Sequence, residues 1–129
     1  MIKKRQQYDM SEQNESKGME LYEYIVDHVD ELGSDPKEIV DPLRAADQTG
    51  QFLASTARYL AAIDRERFEG WLSPLVEGAI EKDRERRYIG SLLEALWGRD
   101  YEERVAELKE ADNNFRRIYR RIHPEEDAM

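Results

Sequence analysis

Apolar residues recur at intervals of three and four along most of this chain, which is the spacing of one face of an α-helix. The first such series runs from Leu21 to Leu32, and comparable series start at Phe52, Phe68 and Tyr88. No stretch alternates apolar and polar residues with the β-branched enrichment typical of strands. The periodicity therefore predicts an all-α protein.

Proline residues and their neighbours divide these series into separate helices. Asp35-Pro36 and Asp41-Pro42 each combine a helix-capping aspartate with a proline suited to the first turn of a helix. Pro74 stands inside a series whose apolar phase is continuous, so a kink is expected there and not a break. The sequence predicts a single-domain bundle of five to six mostly antiparallel helices, some of them kinked at proline.

The domain organisation follows from where the periodic segments lie. A length of 129 residues suits one domain with one core. Residues 19–123 contain all of the periodic segments and form the predicted helical bundle domain. Residues 1–18 are polar and aperiodic, which predicts a disordered N-terminal tail, and residues 124–129 form a predicted disordered C-terminal tail.

The chain is acidic, with a net charge of −9, and the excess is concentrated in one region. Residues 19–64 contain ten Asp or Glu residues and only three Lys or Arg residues. A surface of this kind repels phosphate backbones, so it disfavours nucleic acid as a partner and suits a basic protein. Residues 19–64 are therefore one candidate contact region.

The residues needed for several kinds of chemistry are missing from the sequence. There is no cysteine, and the two histidines, His28 and His123, lie in the first and last helices without a metal-ligand spacing. No glycine-rich phosphate loop, serine-nucleophile motif or zinc-protease motif is present. We therefore expect no enzymatic activity, no cofactor and no metal.

The cellular location is predicted from two further features of the sequence. No apolar run approaches the roughly 18 residues needed to span a bilayer. Residues 1–18 also lack the apolar stretch of a secretory signal. We expect a cytoplasmic protein without membrane contact.

The last periodic segment, residues 100–123, carries the clearest charge pattern and predicts one continuous helix. Arg116, Arg117, Arg120 and Arg121 spread over the face opposite its apolar residues, and Asp112 interrupts the apolar series. Guanidinium groups bind carboxylates and phosphates through paired hydrogen bonds. These five residues therefore form the predicted partner-binding site.

Other interpretations of these residues stay open at this point. Arginines near the end of a helix also match the helix dipole, and Arg116 stands four residues after Asp112, as in an intrahelical ion pair. A carboxylate in an apolar series must be paired, exposed to solvent, or placed at an interface between chains. At an interface, Asp112 would fix the register of a partner helix.

Residues 41–63 have the outline of a helix-turn-helix centred near Gly50. The second helix would present Gln51, Ser55 and Arg58 outward, and such side chains can hydrogen-bond to base edges. However, Gln51 and Thr56 stand where that motif usually has apolar residues, and the acidity of residues 19–64 opposes DNA binding. DNA-binding regulation through residues 41–63 is therefore the alternative prediction.

The function predicted from the sequence is that of a small acidic helical protein-interaction or regulatory module without catalytic activity. Its two candidate contact regions are the arginine face of residues 100–123 and the acidic residues 19–64. Opposite charges on two surfaces of one chain also fit self-association into a homodimer.

Overall fold

A computed structural model of the protein describes the backbone of residues 9–33 and 35–124, with side chains described from Glu15 onward. Within these residues the chain is all-helical and contains no β-strand, so the predicted all-α class is confirmed. The seven α-helices are α1 (Asp9–Asp27), α2 (Lys37–Ala46), α3 (Gln51–Asp64), α4 (Glu69–Lys82), α5 (Gly90–Trp97), α6 (Val105–Ala111) and α7 (Asn113–Ile122). Two short 3-10 helices, Val29–Glu31 and Tyr101–Arg104, follow α1 and α5.

The described part of the chain has more helices than the five to six predicted, and it becomes helical earlier than expected. α1 starts at Asp9, so residues 9–18 are helical, although the sequence had placed them in a disordered tail. Methionine, glutamate, glutamine and lysine in this stretch are good helix formers and extend the helix that begins to pack at Gly18. Residues 1–8 and 125–129 of the two predicted tails lie outside the described residues.

The segment predicted as one helix over residues 100–123 is divided into a 3-10 helix, α6 and α7. The break falls at Asp112, whose carboxylate accepts hydrogen bonds from the backbone N–H groups of Asn114 and Phe115 at 3.0 and 3.1 Å. Its second oxygen accepts the indole N–H of Trp97 at 2.9 Å. The prediction of one helix was wrong because this capping aspartate, followed by the poor helix formers Asn113 and Asn114, starts a new helix although the apolar spacing continues.

The core of the bundle is built around α3, which packs against α1, α4 and α5. Ile25, Leu53 and Trp71 are almost fully buried representatives of α1, α3 and α4 in this core. α7 closes the other side by packing against α4, α5 and α6. There the rings of Trp97 and Phe115 meet edge to face with their centroids 5.2 Å apart. Burial of these apolar surfaces is the main favourable contribution to folding.

Both helices that contain a proline continue through it. Pro42 lies inside α2 and Pro74 lies inside α4, so neither proline starts a new helix. Pro42 cannot donate a hydrogen bond to the carbonyl of Glu38, but both residues are exposed and water can reach that carbonyl. The missing hydrogen bond is therefore tolerated at the surface of the bundle.

The turn between α2 and α3 is held by a nearly fully buried aspartate. The carboxylate of Asp47 accepts the N–H groups of Gly50 and Leu53 at 3.0 and 2.8 Å and fixes the start of α3. Gly50 has a φ of +87°, and a Cβ atom at this position would approach the Cβ of Asp83 to 3.0 Å. Glycine is required there for both its backbone conformation and its small size.

A second buried aspartate holds the turn between α4 and α5. One carboxylate oxygen of Asp83 accepts the N–H groups of Tyr88 and Ile89 at 2.6 and 2.8 Å, and the other accepts that of Arg87 at 2.9 Å. Because these groups lie just before α5, Asp83 fixes where that helix begins. Buried carboxylates in this protein therefore serve to end turns and start helices.

Candidate interaction surfaces

The arginine face of α7 is largely used inside the fold. Arg121 donates hydrogen bonds to the carbonyl oxygens of Ile80 and Asp83 at 2.6 and 2.7 Å, at the end of α4. Arg116 donates to the carbonyl oxygen of Lys109 at 2.7 Å, in the last turn of α6. The last carbonyls of a helix have no partner within that helix, and a positive charge near them is favoured by the helix dipole. These arginines therefore complete the ends of two other helices.

The other residues of the predicted partner-binding site are also engaged. Arg117 is half-buried and donates to the side-chain oxygen of Asn114 at 3.5 Å. Arg120 is exposed and also interacts within the protein. Asp112 caps α7, as described above. The structure thus places all five predicted residues on one helix and its cap, and a role for them in partner binding stays a prediction.

The outward face of α1 carries carboxylates and exposed apolar side chains together. Glu20, Glu23 and Asp27 follow one another at intervals of three and four, and all are exposed. Met19 and Tyr24 flank this row with exposed fractions of 43% and 48%. Most large apolar side chains in the described residues are buried; Met19, Tyr24 and Ile63 of α3 are exposed, and the first two share the α1 face. The five α1 residues are referred to below as the α1 acidic face.

The carboxylates of the α1 acidic face form no ion pair with any residue that the structure describes. The same holds for the exposed carboxylates that follow it, which are Asp30, Glu31, Asp35, Glu38 and Asp41. Glu81 of α4 provides the contrast, because its carboxylate lies 2.9 Å from the guanidinium of Arg44. The hydrogen bond from Arg44 and its positive charge hold the pKa of Glu81 below its usual range.

A groove of about 550 Å³ lies beside Asp112, between α4 and the place where α5 meets α7. Its buried lining is apolar and consists of Leu72, Val76, Leu96 and Trp97. Its exposed or half-buried lining is polar and consists of Arg65, Glu66, Glu69, Ser73, Asp112 and Asn114. The groove therefore combines an apolar floor with a charged rim.

The segment considered as a helix-turn-helix, residues 41–63, forms the end of α2, the Asp47 turn and most of α3. Gln51 and Arg58 are exposed as expected, and Arg58 donates a hydrogen bond to the hydroxyl of Ser55 at 3.1 Å. α3 packs against α1, α4 and α5, but the face that carries Gln51, Arg58 and Ala62 stays exposed, as a recognition helix requires. DNA binding through residues 41–63 stays a prediction, opposed by the acidity of residues 19–64.

Sequence reasoning missed two of these features for different reasons. Met19 and Tyr24 stand outside the apolar series of α1 that contains Leu21 and Ile25, and this displacement is a signal that the sequence does contain. The groove has no such signal, because its floor and rim come from the link between α3 and α4, from α4 and α5, and from the start of α7. Only the packing of these helices brings the lining residues together.

The described residues contain neither a candidate metal site nor a candidate membrane-spanning helix. No group of three or more His, Cys, Asp or Glu side chains is placed to hold a metal ion in the part of the chain that the structure describes. None of the described helices is long and apolar enough to cross a membrane. Comparison of the chain with protein-family models, with curated proteins and with solved structures found no match.

Proposed function

We propose that this protein is a non-catalytic interaction module that binds a basic protein through the α1 acidic face. The observation that carries the proposal is the combination of three exposed, unpaired carboxylates with two exposed apolar side chains on one helix face. Carboxylates that form no ion pair within the described residues leave their charge available to a partner. Exposed apolar side chains supply the contact area that charges alone do not give.

The two kinds of side chain would have different roles in such a complex. Glu20, Glu23 and Asp27 would attract a basic partner over distances of about 8 Å at physiological salt and raise the rate of association. Tyr24 would supply buried contact area, since tyrosine is enriched among the residues that dominate binding energy. Its ring is stacked on His28 with centroids 4.1 Å apart, so part of its motion is already restricted.

The arginine face of α7 is the second candidate for partner binding or for homodimer formation. We rank it below the α1 acidic face because Arg116, Arg121 and Asp112 already complete the ends of helices. A partner that withdrew these side chains would have to replace hydrogen bonds made to half-buried backbone groups. The α1 acidic face carries no such penalty.

The proposal is tested by reversing the charge of the α1 acidic face with the triple substitution E20K/E23K/D27K. The matched control is E103K/E107K/E110K, which changes the net charge by the same amount at three other exposed glutamates. Wild-type and variant proteins are immobilised, exposed to extract from the source cells at low salt, and eluted with increasing salt. A photoreactive group placed at Tyr24 identifies what contacts this face.

We expect a partner protein from the extract to be retained by wild type and by the control, and not by the α1 variant. The same partner should cross-link to the photoreactive group at position 24. The retained protein should elute as the salt concentration rises, because salt screens the exposed charges that hold it. Two results would contradict the proposal. One is equal retention by wild type and the α1 variant. The other is cross-linking at position 24 only to proteins that wild type, variant and control all retain.

A further inference from the structure

The groove beside Asp112 has the composition of an anchor site for an apolar side chain. Its four buried lining residues offer an apolar floor, and a volume of about 550 Å³ accommodates more than one large side chain. The indole N–H of Trp97 is bound to Asp112, so the tryptophan contributes only apolar surface to a ligand in the groove. Filling such a floor would remove apolar surface from water.

The rim of the groove selects the sign of charge that can lie beside that anchor. Glu66, Glu69 and Asp112 contribute three carboxylates, and Arg65 contributes one guanidinium. Glu66 and Glu69 form no ion pair with any described residue. The balance is two negative charges, which favours a ligand with a positive charge next to its apolar group.

The link that carries the rim residue Glu66 also contacts the acidic segment that follows α1. Arg67, between the rim residues Glu66 and Glu69, donates hydrogen bonds to the carbonyl oxygens of Val29 and Asp30 at 3.3 and 3.2 Å. The 3-10 helix that carries Asp30 and Glu31 is thereby held against the start of α4. Two acidic regions that are separate in sequence therefore meet at this end of the bundle.

We infer that the groove binds a segment of the basic partner in which a large apolar side chain is flanked by lysine or arginine. This inference rests on the proposed function and adds the chemistry of the partner segment to it. The apolar side chain fills the floor formed by Leu72, Val76, Leu96 and Trp97. The flanking cations lie against Glu66 and Glu69.

The test uses a short amphipathic peptide of leucine and lysine as the probe and its twin with glutamate in place of lysine as the control. Binding is followed by the two tryptophan indole N–H signals in NMR spectra of the intact protein. Trp97 lies in the groove, whereas Trp71 donates its indole N–H to the Gly33 carbonyl at 2.9 Å and serves as an internal reference. Both signals come from the folded wild-type chain, so no variant is needed to observe binding.

Two variants probe the floor and the rim. S73F places a ring in the groove from an exposed helix position, and S91F places the same ring at an exposed position outside it. E66K/E69K reverses the rim charge, and E103K/E107K is its matched control. In wild type, the lysine peptide should shift the Trp97 signal and leave the Trp71 signal in place. S73F should not bind the peptide, and E66K/E69K should bind it about 10-fold more weakly at low salt.

Several results would overturn the inference. Equal binding of the glutamate peptide would remove the charge selection, and an unmoved Trp97 signal on saturation with the lysine peptide would place binding elsewhere. If the lysine peptide binds without moving the Trp97 signal and this binding is lost in E20K/E23K/D27K, the proposed function holds and the inference about the groove fails. If the groove binds the peptide but the extract experiment shows no dependence on the α1 acidic face, the proposed function fails instead. A dimer in light scattering that S73F converts to monomer would make a second copy the occupant.

Discussion

α1 and α7 both carry a row of like charges on the face opposite their apolar residues, but the two rows have different uses. Arg116 and Arg121 of α7 donate to carbonyl oxygens at the ends of α6 and α4. The carboxylates of α1 form no ion pair within the described residues. Both rows are evident in the sequence, but the charges alone do not show which row forms contacts within the fold and which stays available.

The difference comes from what lies beside each row. α7 is ten residues long and starts directly after α6, so its arginines stand near the ends of other helices. Those ends expose unsatisfied carbonyls with partial negative charge, which guanidinium groups satisfy. The α1 carboxylates lie in the second half of a 19-residue helix that ends at Asp27, away from its N-terminus, where backbone N–H groups would be available. In this protein, two arginines of the short α7 satisfy carbonyls of other helices, whereas the carboxylates of the longer α1 stay exposed.

Removing the cap of α7 should have the largest effect on stability. D112A leaves the N–H groups of Asn114 and Phe115 and the indole N–H of Trp97 without their acceptor. We expect the free energy of unfolding to fall by about 2–3 kcal/mol, as measured by urea denaturation followed by tryptophan fluorescence. D112N keeps one carbonyl oxygen and should lose about half as much. A loss below about 0.5 kcal/mol in D112A would mean that Asp112 is available for a partner after all.

The second prediction concerns the arginine that joins α7 to α4. R121A removes two hydrogen bonds to the carbonyls of Ile80 and Asp83 and should lower the free energy of unfolding by about 1.5 kcal/mol. R121K keeps the charge without the paired geometry and should lie between R121A and wild type. R84A, at an exposed arginine in the link after α4, should change stability by less than about 0.5 kcal/mol. Equal effects of R121A and R84A would show that the arginine face is not structural.

Much of the fold was accessible from the sequence because apolar spacing determines which face of a helix is buried. The series through Leu53 and Phe68 predicted α3 and α4, and both residues are buried. Helix ends were harder to predict. Asp112 breaks a segment whose apolar spacing is continuous. Its capping of α7 has a local signal in Asn113 and Asn114, the poor helix formers that follow it. Its hydrogen bond from Trp97, fifteen residues earlier, has no local signal.

The candidate surfaces were less accessible than the fold. The acidity of residues 19–64 was evident from composition, and most carboxylates of this region are exposed, but its role as a contact region stays a prediction. The sequence could not separate Asp47, which is 2% exposed, from Glu23, which lies on the surface. It also gave no indication that Arg121 would meet the end of α4, since that contact joins residues 41 positions apart.

Neutralising one carboxylate of the α1 acidic face should stabilise the fold slightly. Glu23 stands three residues after Glu20 and four before Asp27, and like charges at these spacings destabilise a helix by about 0.2–0.5 kcal/mol per pair. E23Q removes both repulsions, so the free energy of unfolding should rise by a few tenths of a kcal/mol at low salt. The gain should disappear at high salt, where exposed charges are screened. A loss of stability in E23Q would mean that Glu23 has a partner within the fold.

The smallest effect is expected at Glu81, the exposed carboxylate of α4 that is paired with Arg44. The hydrogen bond and charge of Arg44 lower the pKa of Glu81, so the folded state favours the ionised carboxylate. The stabilising contribution of this pair is therefore present above the ordinary glutamate pKa and is lost as pH falls through the lowered value. Side-chain NMR titration of R44A should show the pKa of Glu81 raised toward its ordinary range, whereas R84A should leave it low. An unchanged pKa in R44A would mean that the pairing with Arg44 is not what distinguishes Glu81 from the carboxylates of α1.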